Sequence, residues 1–389
     1  MVKGTREVNT GRIRLGMVGG GQGAFIGAVH RLAARMDDHY EFVAGALSAD
    51  AKKAKASGEE LGLAADRIYS DFSAMAKAES AREDGIEAVS IVTPNHVHVA
   101  AAKAFIAAGI HVICDKPLAL NLKEAKSLEG HLAKRKDVIF ALTHNYSGYP
   151  MIRHAKAMVA AGELGDVRLV QGEYPQDWLT TSLEKTGQKQ AAWRTDPKRS
   201  GAGGCVGDIG THTYQLMCDV SGLTGVELAA DLTSFVKGRK LDDNAHVMLR
   251  FNKGAKGMIW ASQVAPGHEN GLKLRVYGTK GGLEWIQADP NYLWYTPYGE
   301  AKRLITRGGA GSNAAAARVT RVPPGHPEGY LEGFANIYSE VARAIKARRS
   351  GKKPDKDVAF PGIADGIAGM AFIEACVKSS AKNGKWTKL

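Results

Sequence analysis

Asp208 and His212 stand four residues apart behind a glycine-rich approach in GGCVGDIGTHTYQL, residues 203–216. On a helix that spacing puts a carboxylate and an imidazole on one face. An imidazole that titrates near neutrality can take a proton from a hydroxyl, while a carboxylate orients the ring or the substrate. The ordinary alternatives are a helix cap for Asp208, which stands where a helix would begin, and core packing for His212. A third group is Lys116, which follows the apolar run IHVICD and precedes Pro117. Proline fixes the backbone there, and a turn at a strand's C-terminal end aims the lysine into the crevice where parallel sheets bind ligands. An ammonium in that place contacts a substrate oxygen and eases ionisation of a hydroxyl.

A second cluster suits phosphate. The run GGGQGAFIGAVH, residues 19–30, joins an apolar strand to a helical stretch. Gly19 and Gly21 leave room for a pyrophosphate at a tight turn, and Gln22, Ala24, Phe25 and Ile26 follow where a helix N-terminus offers unpaired N–H groups. The pattern GxGxxG closes on Ala24 if read from Gly19, or on Gly27 if residues 22–24 are an insertion. Beyond the second strand, GALSADAKK has no acid where NAD-binding chains usually bond the ribose. Ser48 and Lys53 allow a 2′-phosphate, so NADP is permitted and NAD is not excluded.

These groups need a frame. From Arg12 to about His144, short apolar strands (IRLGMVGG, YEFVAGALS, IEAVSIVT, IHVICD, VIFALTHN) alternate with Ala-rich helical stretches, among them 28–36 and 98–108. That is the pattern of a parallel sheet with crossover helices. After residue 145 come a helix over 149–160 and then closely spaced extended segments punctuated by Gly, Asn and Pro, with helices over 327–349 and 361–382 at the end. The expected fold is therefore α/β: a Rossmann dinucleotide-binding domain over 1–144, then an α+β domain over 145–389 with a large, mostly antiparallel open sheet. Residues 307–324, RGGAGSNAAAARVTRVPP, read as a surface loop or as a lid or partner-contact segment.

Composition excludes several classes. At 389 residues, 44% hydrophobic and 24% charged, the chain is globular and long enough for two cores. The net charge of +12 is scattered rather than blocked, which argues against nucleic acid. No run is long and apolar enough for a membrane span. Four cysteines without CxxC spacing read as free thiols, and no metal site is expected, since His96 and His98 alternate without further ligands. A charged N-terminus without an apolar run points to the cytoplasm.

Three stretches, GMVGGGQGAFIGAVH, IVTPNHVHVAAAKAFIAAGIHVICDKPLA and GAGGCVGDIGTHTYQL, together resemble the Gfo/Idh/MocA family of NAD(P)-dependent oxidoreductases. The family's Glu-Lys-Pro stands here as Asp115-Lys116-Pro117. The resemblance implies that Lys116, Asp208 and His212 form the reacting centre, and that Thr93, Pro94, Asn95, His98 and Asp115 line the cofactor. Substrate contacts are expected from Asn145 and Tyr146 in THNYSGYP, Asp177 and Trp178 in YPQDWLT, and Trp193 and Arg194 in AAWRTD. The implied substrate is a sugar, glycoside or cyclitol such as an inositol, oxidised at a ring hydroxyl by a homodimer or homotetramer. The alternatives are an NAD-dependent glycoside hydrolase on the same fold and a nucleotide-sensing regulator without catalysis.

Overall fold

The computed structural model describes residues 11–389. Strands β1 (Ile13–Gly19), β2 (Tyr40–Ala46), β3 (Ala88–Val92), β4 (His111–Cys114) and β5 (Phe140–Leu142) form a parallel sheet in the order β2-β1-β3-β4-β5. Helices α1 (Phe25–Met36), α2 (Ala51–Glu60), α3 (Phe72–Ser80), α4 (Asn95–Ala107) and α5 (Leu122–Leu132) alternate with the strands. Because crossover helices cover both faces, a central strand such as β3 is buried at every residue, and its sequence is apolar without alternation. Helix α1 opens at Phe25 rather than at Ala28, because Gly20 and Gly23 take φ of 72° and 73° and turn the chain within a few residues.

Helix α6 (Pro150–Ala160) leads to the second sheet. Its strands are β6 (Val167–Pro175), β7 (Gly225–Thr233), β8 (Asn244–Phe251), β9 (Lys256–Ser262), β10 (Lys273–Gly278), β11 (Gly281–Ile286), β12 (Tyr292–Pro297), β13 (Arg303–Thr306) and β14 (Thr387–Lys388). They lie in the order β13-β12-β11-β10-β6-β9-β8-β7-β14, all antiparallel except the β6–β9 pair. Between β6 and β7 run the short α7 (Lys189–Arg194) and α8 (Pro197–Ser200) and then α9 (Thr211–Ser221). Helix α9 packs on β6 and β10.

Late elements tie the two sheets together. After α10 (Ala314–Ala317), helix α11 (Tyr330–Arg349) returns to the first sheet, where Phe334, Ile337, Val341 and Ile345 share a core with Ile13, Leu15 and Val29. The Tyr338 hydroxyl meets Ser90 Oγ at 2.6 Å and His30 Nδ1 at 2.8 Å. Helix α12 (Ile363–Ser380) packs on β7 and on α5. The low-complexity segment 307–324 does not reach the cleft described below. Its arginines fasten it: Arg307 forms a buried pair with Glu328 at 3.0 Å, the partly exposed Arg318 pairs with buried Glu340 at 2.9 Å, and Arg321 Nε donates to Asp37 at 2.7 Å.

Candidate active site

A cleft of about 470 Å³ opens at the C-terminal ends of the first sheet. One wall is the glycine turn with Gln22, Ala24 and Ile26, the end of β2 with Leu47 and Ser48, then Lys53, Thr93 to Val97, Asp115 and Lys116; the other is Lys189, Gln190, Trp193, Arg194, Arg199 and Asp208. Close packing distinguishes the two readings of the glycine pattern. A Cβ on Gly27 would lie 2.4 Å from Gly20 Cα, so Gly27 is the glycine that lets α1 pass over the turn. Ala24 takes the cap position without a side-chain cap, and the first turn of α1 carries no acid. The first N–H groups of that helix are left for an anion, which fits a dinucleotide's pyrophosphate. A Cβ on Gly21 would stand 2.7 Å from Leu47 O and from Ser57 Oγ, so the turn is closed to larger residues. Thr93 Oγ1 is buried at the cleft wall and has no hydrogen-bond partner among the described residues.

The two sheets meet at Lys116. Its Nζ donates to Asp208 Oδ1 at 2.9 Å and to the Asp208 carbonyl at 2.7 Å. Asp115, through Oδ1, accepts from the Lys116 amide and from Thr143 Oγ1, both at 2.9 Å, and so fixes the lysine turn. The other Asp208 oxygen accepts from Gln263 Nε2 at 2.9 Å and lies 3.3 Å from Arg194 Nε. Asp208 is therefore not a helix cap. It sits inside a π-helical turn, Val206–Gly210, that runs on into α9. Such a turn widens the helix locally and redirects one side chain. The turn is held from outside by Asp242, whose carboxylate accepts the Gly204 and Val206 amides at 2.6 and 2.8 Å. Burial alone raises the Asp208 pKa, but the charges of Lys116 and Arg194 outweigh it and keep the carboxyl well below its usual range.

His212 lies behind this pair, 6% exposed. Its ring meets Tyr146 edge-on at 4.9 Å and His144 edge-on at 5.4 Å between centroids. Burial, then the charges of Lys116 and His144, lower its pKa well below the ordinary histidine value, so the ring is neutral. Burial and Lys116 likewise push His144 down to about 3. The Nδ1 atoms of both rings are buried without a partner among the described residues. The Tyr146 hydroxyl pairs with that of Tyr174 and accepts from Asn270 Nδ2 at 3.4 Å. Asn270 in turn accepts from Gln176 Nε2 at 2.9 Å, and Gln176 holds Trp178 Nε1 at 3.1 Å. The Arg194 guanidinium lies 4.3 Å from the Trp193 ring centroid and 5.9 Å from that of Trp178. Asn145 is 1% exposed beside Tyr146, and Asp177 is half-buried beyond the end of β6.

Two expected cofactor contacts stand elsewhere. Phe25 is 66% exposed and outside the cleft lining, because the first turn of α1 points it to solvent. His98 is buried, and both ring nitrogens lie 2.8 Å from carbonyl oxygens, Pro117 and Thr93, so it braces the lysine turn against the start of α4 instead of facing the cleft. Asn95 lines the cleft while its amide donates to the Ser200 carbonyl at 2.9 Å, bonding α4 to α8. Gln263, Tyr174, His144 and Lys189 escaped the sequence reading. No local pattern marks Gln263, which follows the apolar end of β9 in WASQV and reaches Asp208 only through the fold. Among the described residues no group of three His, Cys, Asp or Glu side chains could hold a metal ion, and no helix is long and apolar enough to cross a membrane.

Comparison with known proteins gives matches over most of the chain. Residues 13–144 match the model described as an oxidoreductase family with an NAD-binding Rossmann fold, and residues 152–284 match the GFO/IDH/MocA C-terminal domain. An oxidoreductase from Sinorhizobium meliloti is 62% identical, with TM-score 0.89, over 97% of this chain and 99% of the other. An inositol dehydrogenase homologue from Azotobacter vinelandii, solved with NAD+, is 34% identical with TM-score 0.93 over 100% of both chains. Levoglucosan dehydrogenase of Pseudarthrobacter phenanthrenivorans is 29% identical over 95% of this chain and 96% of its own.

Proposed function

Since the chain belongs to the Gfo/Idh/MocA family of NAD-binding oxidoreductases, we propose that it is a dehydrogenase that interconverts a ring secondary hydroxyl of a sugar, glycoside or cyclitol with the ketone. The observation that carries the reading is the contact of Lys116, from the first sheet, with Asp208, from the second, at 2.9 Å on the floor of the glycine-lined cleft. The bound dinucleotide supplies the hydride acceptor. Gly19, Gly21, Gln22, Ala24 and Ile26 are proposed to hold its pyrophosphate, with Thr93, Pro94, Asn95 and Asp115 beside the nicotinamide end.

In the oxidative direction the substrate hydroxyl sits between Lys116 Nζ and His212. The ammonium lowers the cost of the developing alkoxide. Neutral His212 accepts the proton, and its buried Nδ1, which has no hydrogen-bond partner among the described residues, supports that role. Asp208 orients the ammonium and, through Arg194, the polar side of the sugar. Trp178 and Trp193 offer apolar faces to a ring, with Asn145, Tyr146 and Asp177 as polar neighbours. The substrate class is supported by the levoglucosan dehydrogenase and the inositol dehydrogenase homologue among the relatives. We further assign cofactor binding to residues 1–144, and substrate binding and self-association to residues 145–389. Screening the purified protein with NAD and NADP against cyclitols, pyranosides and anhydrosugars, following nicotinamide absorbance, tests the reading. Net reduced nicotinamide with at least one ring alcohol is expected. Sugar release without net reduction would replace it by a hydrolase, and no turnover with any ring alcohol would remove it.

A further inference from the structure

Three cations, Lys53, Lys189 and Arg199, line the cleft and none of them forms an ion pair among the described residues. Lys53 lies in the first turn of α2, Lys189 opens α7 and Arg199 lies in α8, so the first sheet's side supplies one and the arm from the second body supplies two. Among the described residues no ion pair involves any of the three; on α2 the pair is Lys55 with Glu59 at 3.8 Å, and on the arm it is Arg194 with Asp208. Carboxylates near them in sequence are engaged in capping, Asp50 accepting the Lys53 amide at 2.9 Å and Asp196 the Lys198 amide at 3.0 Å, as is Asp71 of the cleft lining, which accepts the Ala74 amide at 2.7 Å. Neighbouring Lys52 is exposed and does not line the cleft. Burial, and then the nearby charges of Lys53 and Arg199, lower the Lys189 pKa.

Gathering like charges is unfavourable unless an anion joins them. Their place identifies the anion. They share the cleft with Ser48, which lies just past the end of β2, where this fold seats the adenosine ribose and where an acid would otherwise bond its 2′-hydroxyl, and Lys53 follows it in the first turn of α2. The pyrophosphate has its own place at the glycine turn and α1, so the cluster serves a second phosphate. We propose that Ser48, Lys53, Lys189 and Arg199 form a site for the 2′-phosphate of NADP, half of it carried by the α7–α8 arm, and that the chain prefers NADP to NAD. The inference rests on the dinucleotide reading of the cleft and not on the identity of the alcohol.

Calorimetric titration of the full chain with 2′,5′-ADP and 5′-AMP tests it. The wild type binds 2′,5′-ADP more than about tenfold more tightly, a gap of about 1.4 kcal/mol. Lys189→Ala and Arg199→Ala each lose most of that gap while AMP affinity stays level, and the gap narrows with added salt. Equal affinity of the wild type for the two nucleotides overturns the inference. So do variants that weaken both nucleotides alike, because that marks a structural role for the arm. Circular dichroism of each variant separates misfolding from lost contact, and Lys189→Arg restores the gap where folding is intact. A preserved gap with no alcohol oxidised would sink the dehydrogenase reading alone; NAD turnover without the gap would sink this inference alone.

Discussion

At the reacting centre, a single geometric fact governs the residues: one carboxylate, Asp208, is shared by an ammonium, an amide and a guanidinium. Lys116→Met leaves that carboxylate buried without its ammonium, a loss of about 3–5 kcal/mol when one partner of a buried pair is removed. A fall in thermal midpoint together with an upward shift of the Asp208 titration, read by NMR, is the expected result. His212→Ala is expected to lower turnover by about 10²–10⁴, the usual worth of a general base, with dinucleotide affinity nearly unchanged. Gln263→Leu removes one orienting contact and is expected to lower kcat more than it raises KM. Lys116, Asp208 and His212 were singled out by a lysine in a strand-end turn and an acid–histidine spacing, and the family resemblance, not the local pattern, gave them their proposed roles. Gln263 was not, since only the pairing of β9 with β8 brings residue 263 beside Asp243 and so beside Asp208.

Among the elements, the glycine turn and α1 carry the cofactor end. The sequence allowed closure of the pattern on Ala24 or on Gly27, and only packing separates them, because the distance from Gly27 to Gly20 is a property of the helix–strand crossing. Gly27→Val pushes α1 away from the turn and is expected to abolish dinucleotide binding, measured by fluorescence titration, whereas Ala24→Ser leaves binding within about threefold by adding an N-cap hydroxyl at most. The same limit explains α1 starting at Phe25: apolar periodicity locates a helix well and its first turn poorly. The helix cap stayed open as the ordinary alternative for Asp208 for a related reason, since a π-helical turn has no sequence signature and makes two helical segments continuous.

Across the whole molecule, the two-sheet plan followed from apolar runs and turn residues, but the order of strands within each sheet and the return of α11 to the first sheet did not. Its apolar face, Phe334 to Ile345, would suit either core, and only the fold decides which. The open face of the second sheet also has no sequence signature beyond alternation. It exposes Leu169, Met248, Met258 and Tyr277, with Met248 paired to Met258 and Leu169 to Tyr277 across adjacent strands. That apolar band supports self-association, and Met248→Glu with Met258→Lys is expected to shift the protein to a smaller species in light scattering. Acid sensitivity is a property of the whole fold as well. His30 and His144 are held by burial at about 4 and about 3, so between roughly pH 6.5 and 3 the unfolded chain takes up protons that the native one refuses. Asp208, with its pKa depressed, adds stability that is present above the unfolded carboxylate value and is lost only at lower pH. Stability measured by urea titration therefore falls as pH drops below about 6.5, and His144→Phe flattens part of that fall.

The most direct measurement follows the hydrogen itself. A ring alcohol that turns over is supplied with deuterium on its reacting carbon, and the label in the nicotinamide is read by mass spectrometry. Deuterium is expected on C4 of the reduced nicotinamide with the wild type and at background with His212→Ala and Lys116→Met. Label retained by a sugar that is nonetheless transformed, or equal transfer by wild type and both variants, would contradict a reacting centre built from Lys116, Asp208 and His212.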